Sequence, residues 1–535
     1  MTNRTLSAWG RLRDNNLLSS SAAGSVTAGR LFDEGRYIPQ KMPMRLIRPV
    51  SDAIVGSSIS YDHRGYVGIE QVIKITVQGG AFPFFLENVS LPAGATVGET
   101  IFDNDYMVIR FTPASTGSYT MSFTVVDQNR TKISHSHTVT VDTTWVKFVS
   151  TTGNDTTGDG SYANPWATIA KAQSIMTGGK ALCLKDGIHT LGAVRNNLIK
   201  TGINILFAEH PRLALVDAST VPAPTNDGNP YPCWYINDKF TFIGGIKFVN
   251  PPTTVPSPRW FSSDKDCSYS YMDNCVFDIN NRIGTNNGDN VSCFFLGDAG
   301  TVPSRACLAQ TRCDFLGFAG VGNGWSAIDC YGTENLVIEE NTFHGQMSST
   351  TTAGVIWIKG ARNKNISIRR NETTDTWSGS FLDIYLGNTA PIDNITGNIE
   401  FCYNKLRGSD IYSDALVQIA RSDQTGARLP VWSYRNTVYG RYFINNRNYS
   451  VTFTSENDVV IHNHTNADPF KIYVVWVNDP SNVYRPLSFM ASLTASVTGY
   501  EVHKLPSDNA LDASLNLQGS YRTNYLGTHG CEVSM

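Results

Sequence analysis

The chain has no apolar run approaching the roughly 20 residues of a membrane-spanning helix, so membrane insertion is not expected. Its ten cysteines include no C-x-x-C pair and no zinc-like spacing. No P-loop, Rossmann or G-x-S-x-G signature is present. No cofactor and no metal are therefore expected. Charge is scarce at 17%, and 43 basic residues against 46 acidic ones leave a formal net charge of −3. That balance gives no support for a nucleic-acid partner. The first residues, MTNRTLSAWGRLRDNN, lack the apolar segment of a secretory signal. An architecture of extracellular type without such a signal is expected of a bacteriophage virion protein, assembled in the host cytoplasm and released by lysis. The alternative is an extracellular protein exported by another route.

Turn-forming and aromatic residues are abundant. With Gly 45, Tyr 23 and Phe 25, alongside much Asn, Ser and Thr, the composition suits short strands and many turns. A chain of 535 residues exceeds what one core usually serves, so two or more domains are expected. Cys183, Cys233, Cys275, Cys293, Cys313, Cys330 and Cys402 lie inside apolar strand-like runs and read as buried reduced thiols.

Residues 1–50 have weak periodicity and a basic bias, seven Arg and one Lys against two Asp and one Glu. Their scattered Trp9, Leu12, Leu31 and Phe32 suggest an arm that orders on docking to other virion proteins. Residues 51–142 alternate as a β-sandwich does. Strands are expected at 72–77, 82–86, 106–111, 118–127 and 134–141, with turn signals between them. The pieces VQGGAFPFFL, SLPAGAT and FTPASTGSYTMSFTVVDQ resemble bacterial immunoglobulin-like modules. That resemblance implies a spacer or adhesive module rather than chemistry. His135 and His137 share one strand face there, and a packed pair is the expected reading.

From residue 143 onward a repeat takes over. The stretch 145–191 reads as a strand, a Gly/Asp/Asn-rich turn closed by Pro165 and Trp166, and a short helix capped by Thr168. Ile169, Ala172, Ile175 and Met176 fall on one side of that helix, and Gly178 and Gly179 end it. Downstream, an apolar-x-apolar-x-x-Asn-x-apolar unit recurs about every 31 residues, at Gly245, Asn274, Cys313, Asn341, Asn371, Asn404, Asn436 and Asn463. The recurrent Asn suggests an inward ladder, interrupted at Gly245 and Cys313. A second strand series, 232–238, 292–298, 326–332, 354–360, 381–387 and 416–422, repeats in phase. The gaps at 221–232 and 250–260 read as loops. The motifs GNDxxxGD, NPW.TI.KA and G..L.L.DG.H in 145–191 resemble the N-terminal cap and first rung of the pectate-lyase-like superfamily. The resemblance implies an all-β chain, an immunoglobulin-like β-sandwich followed by a right-handed single-stranded parallel β-helix over 143–535. Residues 507–533 resemble the closing segment of such a helix.

Aligning the second series by its alternation puts Ile328, Ile356, Leu382 and Val417 inside. Asp329, Trp357, Asp383 and Gln418 then form an outward column, with Tyr331, Lys359 and Tyr385 in a neighbouring one. Aromatic faces and planar hydrogen-bonding groups are what a glycan requires. Asp329 and Asp383, two rungs apart, would stand about 9 to 10 Å from each other. That is the upper edge of the ~6.5–9.5 Å separation used by inverting glycosidases, one carboxyl as general acid and one activating water. Lys359, Arg369, Arg370 and Arg407 are the bases a lyase would have at its disposal. The leading expectation is a tail-associated virion protein recognising host cell-surface polysaccharide. The alternatives are a polysaccharide depolymerase on the same scaffold and a purely structural decoration protein. The sequence leaves the oligomeric state open.

Overall fold

The computed structural model describes residues 42–49, 63–98, 107–176, 180–191 and 203–221 and, from 231 to 505, chiefly strands and the turns joining them. The chain is nearly all β, with one helix among the described residues. From Val146 onward it winds into a parallel β-helix with three faces. Sheet I has eleven strands, from Val146–Val149 and Lys180–Leu184 to Val451–Glu456. Sheet II has eleven, from Gly187–Thr190 to Val502–Leu505, and sheet III has eight, from Tyr231–Tyr235 to Ile444–Asn446. Every neighbouring pair tested along the column Ile205–Phe242–Tyr271–Ala309–Val337 of sheet I is parallel. Right-handed winding is what the twist of L-residue strands imposes on parallel crossovers. At about 4.8 Å per rung, eleven strands give a body about 50 Å long.

The core is one continuous column of Leu, Ile, Val and aromatic side chains. Phe248, Phe277, Phe315 and Phe343 stack on successive rungs of sheet II, at 5.1, 5.3 and 4.8 Å between centroids. The segment 258–263, part of which reads in sequence as loop, is a strand of sheet III, with Trp260 and Phe261 buried. Its Pro258 occupies the first strand position, where the missing N–H does least harm. Most of 221–232, and all of 507–533, lie outside the described residues.

The corner between sheets I and II is the most regular feature. Its first residue has a positive φ at Gly245, Asn274, Arg312, Glu340, Arg370 and Tyr403. Its second residue turns inward, and there Asn341, Asn371, Asn404 and Asn436 form the ladder. Asn371 Nδ2 donates to Ile338 O at 3.0 Å and to Asn404 Oδ1 at 3.1 Å. Its own Oδ1 accepts from the backbone N and the Nδ2 of Asn341. The register corrects the expected ladder at its upstream end. Asn274 is the positive-φ residue, and the inward place falls to Cys275, next to Cys313. The two thiols point to carbonyl oxygens, Cys275 to Asp273 at 3.5 Å and Cys313 to Thr311 at 3.3 Å. Asn463 lies outside the described residues.

The first rung is sealed by residues 150–176. Thr168 caps the helix Ile169–Ile175, its Oγ1 accepting from Lys171 N at 3.1 Å. Asp155 holds that cap, accepting from Ala167 N, Thr168 N and Thr168 Oγ1. Trp166, Ile169, Ala172 and Met176 join the core. Ile175, expected on the same side, is exposed, because in this helix of about two turns it falls off the face shared by Ile169, Ala172 and Met176. Gly178 and Gly179 lie outside the described residues.

The N-terminal module is a sandwich of a four-stranded and a three-stranded sheet around one core that includes Phe85, Ile109, Phe123 and Val139. Expected strands appear at Val108–Phe111, Gly117–Val126 and Lys132–Val141, whereas 72–77 is divided between Gln71–Lys74 and Thr76–Gln78, in different sheets, and the strand expected at 82–86 runs instead over Phe85–Ser90. One pairing, His63–Gly65 with Val139–Val141, is parallel. Arg45–Arg48, within the stretch read as an arm, is a strand paired antiparallel with Thr76–Gln78. The module lies along the outer face of sheet I, and Cys402, Tyr403, Trp432 and Tyr434 of the β-helix belong to its core.

Replacing Asn371 by Ala removes four side-chain hydrogen bonds and strands the Ile338 carbonyl in the core. A loss of about 2–4 kcal/mol is expected, read from urea unfolding. Asn371→Cys, which copies the upstream rungs, is expected to cost less than Asn371→Ala.

Candidate functional site

The register of sheet III places the acid and aromatic residues as their alternation implies. Ile328 pairs with Ile356 and Ile356 with Leu382, all three buried, and Leu382 pairs with Val417. Asp329 pairs with Trp357, Trp357 with Asp383 and Asp383 with Gln418. Tyr331, Lys359, Tyr385 and Ala420 are the next column but one. Asp329 leaves the strand on the face opposite Ile328 and Cys330, and Asp383 on the face opposite Leu382 and Ile384, all four of which are core residues.

Exposure departs from expectation. Asp329 is 0% and Asp383 2% exposed, so the column is not an open wall of carboxylates. Trp357 between them is half-buried. Alternation fixes the face from which a side chain leaves a strand, not whether water reaches it.

A second concentration of charge lies under the sandwich, on the outer face and corner of sheet I. Lys74 Nζ donates to both Glu340 oxygens at 3.2 Å, with neither side chain above 6% exposed. Arg370 lies 3.3 Å from the same carboxylate. Arg369 Nε donates to Glu339 at 3.0 Å, and its guanidinium also reaches Val77 O. Arg312 pairs with Asp273 through two nitrogens. Gln78 Nε2 donates to Leu336 O and Asn365 O, and Tyr403 Oη to Phe82 O. Buried, shifted carboxylates are candidate functional groups, but this set joins two modules and its partners are one another. Burial lowers the Lys74 ammonium while Glu340 and Glu339 oppose the shift. Burial raises Glu340, against the pull of Lys74 and Arg370. Arg369 and Arg370, candidate bases by sequence, are thus committed to docking.

Three further groups were not legible in the sequence. His137, read as half of a pair with His135, meets His63 from another strand, Nε2 to Nδ1 at 2.9 Å. Burial, with Arg48 nearby, lowers His63 to about 4. Burial likewise lowers His137 well below its ordinary value. Glu400 accepts from Ser367 Oγ at 2.9 Å, and burial raises it to about 7 against the attraction of Arg369. Asp186, Glu209 and His210 bring ligand-type atoms within 4.8 Å of one another at the first rungs. Their contacts are local, His210 with Asp186 at 3.0 Å and Tyr162 Oη donating to Glu209 at 2.8 Å.

No family model matches this chain, and no curated protein matches it. Among solved structures it is similar to a rhamnogalacturonan lyase, at 11% identity and TM-score 0.44, over 72% of this chain and 99% of that one. It is similar to the pectate lyase Pel9A at 14% identity and TM-score 0.36, over 74% and 97%. A lacto-N-biosidase of family GH136 from Eubacterium ramulus follows at 9% identity and TM-score 0.29, over 59% and 67%. The β-helix itself is established by the strand order and register of this chain.

The shifted groups at the junction oppose each other in pH. Glu400 binds its proton more tightly folded than unfolded, so its contribution falls as pH rises from about 4.5 to about 7. His63 binds its proton less tightly folded, so its contribution is lost as pH falls from 6.5 to about 4. Glu400→Gln is expected to raise stability at pH 8 relative to the parent and leave it unchanged at pH 4. Urea unfolding at the two pH values checks this.

Proposed function

We propose that the protein acts on a polysaccharide, and that the sugar chain lies along the outer face of sheet III over Asp329, Trp357 and Asp383. The observation that carries this reading is the register, which sets acid, indole and acid on consecutive rungs of one sheet. The indole offers a flat apolar face for the C–H side of a pyranose. The carboxylates on either side stand two rung spacings apart, about 9 to 10 Å. That leaves room for a water molecule, as inverting hydrolysis requires. One carboxylic acid protonates the glycosidic oxygen as its bond to the anomeric carbon breaks. The other carboxylate takes a proton from the water that attacks that carbon from the opposite side. Both acids are buried and Trp357 between them is half-buried, so a substrate must open this face to reach them.

Elimination is the less favoured chemistry. It needs a base facing an acidic sugar, and the Arg369–Glu339 and Arg370–Glu340 pairs occupy two of the candidate cations beneath the sandwich. A virion appendage that only holds its host's glycan would use the same face without the acids.

The test is incubation of the chain with capsular polysaccharides, lipopolysaccharide and pectic polymers. Chain length, new reducing ends and ultraviolet absorption of a new C=C bond are followed. Shortening with reducing ends and no absorption is expected, with Asp329→Asn and Asp383→Asn each slower by about 10²-fold or more. Trp357→Ala is expected to weaken retention of the polymer. Retention without shortening would replace hydrolysis by adhesion, and neither retention nor shortening would overturn the reading.

A further inference from the structure

The sandwich and the β-helix do not meet flush along their whole contact. At the end nearer the first rungs they leave a cleft between 63–72 of the sandwich and sheet I. Its β-helix wall carries two half-buried aromatic rings, Phe207 and Phe242. Phe242 stacks on Tyr271 at 4.6 Å between centroids, and Arg48 covers the far side of that stack at 3.9 Å from the Tyr271 ring. Gly244, opposite Phe207 on the neighbouring rung, keeps the floor clear. A Cβ there would come within 2.3 Å of the Phe242 ring. The base is polar and rigid, since the buried Asp273–Arg312 pair lines it.

We propose that this junction cleft is a second carbohydrate site, separate from sheet III, that binds a neutral sugar residue against Phe207 and Phe242. Two modules meeting at a concave surface are where small-ligand sites preferentially form. Aromatic rings beside planar hydrogen-bonding groups are the chemistry that selects a sugar, whose faces are apolar and whose rim is hydroxyl. Glu70 on the sandwich side and Glu209 on the helix side stand at the cleft as acceptors for hydroxyls. The charge of the lining argues against an acidic sugar. Three carboxylates, Glu70, Glu209 and Asp273, face two guanidiniums, Arg64 and Arg312. His63 adds no charge at neutral pH, because burial lowers it to about 4. Glu70 is paired with Arg110 and Asp273 with Arg312, so a uronate would be repelled chiefly by Glu209, and a neutral hexose or N-acetylhexosamine would not.

The site is independent of the reading of sheet III, and the experiment separates them. Ligand-observed NMR and calorimetry on the full chain use glucose, galactose, N-acetylglucosamine and galacturonate at millimolar concentration. A neutral sugar is expected to bind, with roughly tenfold loss in Phe207→Ala and in Phe242→Ala. In Trp357→Ala, which removes the sheet III platform, neutral-sugar binding that is lost on adding Phe207→Ala is expected to remain. Phe242 supports the docked sandwich through Tyr271, so each variant is first checked by thermal unfolding. If Phe242→Ala unfolds, Phe207→Ala and Glu209→Gln decide. Three results would each overturn the proposal. These are no neutral sugar bound by the parent chain, galacturonate bound as well as the neutral sugars, or neutral-sugar binding that Phe207→Ala leaves at the parent's strength.

Discussion

The structure depends on one constraint, repeated on successive rungs from Gly245 to Tyr403. The chain must turn sharply from sheet I to sheet II without leaving buried backbone groups unpaired. Two residues make the turn. The first takes a positive φ, and the second turns inward, where in the ladder an asparagine amide donates to a carbonyl of the preceding rung and to the asparagine oxygen of the next, while its own oxygen accepts from the preceding rung. A carbonyl left unpaired in that column would cost about 1–3 kcal/mol, so the Asn341–Asn436 series locks four rungs in register. The thiols of Cys275 and Cys313 continue the column with weaker bonds. Sheets I and II inherit their alignment from this corner, and the Phe248–Phe343 stack follows from it.

The same corner explains how the sandwich is held. A positive-φ residue at a convex turn throws its side chain outward, and Asn274, Arg312, Glu340, Arg370 and Tyr403 at this corner are not glycine. Arg312, Glu340, Arg370 and Tyr403 are successive members of that outward row, and each takes part in or adjoins the docking surface. Strain at such positions persists only where surrounding contacts over-determine it. Here the Lys74–Glu340–Arg370 cluster and the Tyr403–Phe82 contact supply those contacts. The ionic part of the junction is weak evidence for added stability, since desolvation offsets much of the attraction. Its effect is registration. A sandwich slid by one rung would leave Lys74 buried opposite the wrong charge.

The strand series, the cap and the ladder were legible in the sequence because each rests on local chemistry repeated at a fixed interval. Thr168 as N-cap, Trp166 as core plug and Asn341, Asn371, Asn404 and Asn436 as ladder all follow from residue type and spacing. The column Asp329–Trp357–Asp383 was legible for the same reason, since period-two alternation fixes register. What could not be read was anything set by distant partners. The burial of Asp329 and Asp383, the meeting of His63 with His137 and the docking of Lys74 on Glu340 join residues up to 266 apart, and no local pattern encodes such a contact. Asn274 was misplaced by one position because an Asn suits both places in the turn, as the left-handed residue and as the inward amide.

Docking also narrows where a ligand can be met. Along much of its length sheet I is roofed by the sandwich. Sheet II presents a solvated face on which Lys247, Asp278, Asp314, Glu372 and Lys405 are half-buried charges of both signs, and Lys247 with Asp278 is at most a loose pair at 3.9 Å. That face has no described aromatic platform. Among the described residues, aromatic rings and carboxylates come together at the Trp357 column of sheet III, where the acids are buried, and at the start of sheet I around Phe207 and Phe242. They lie on different faces of the same rigid body, so one polymer segment cannot cover both without wrapping the helix. A chain bound at both would be held across an edge, and the junction cleft would then select the sugar residue while sheet III meets the bond to be broken.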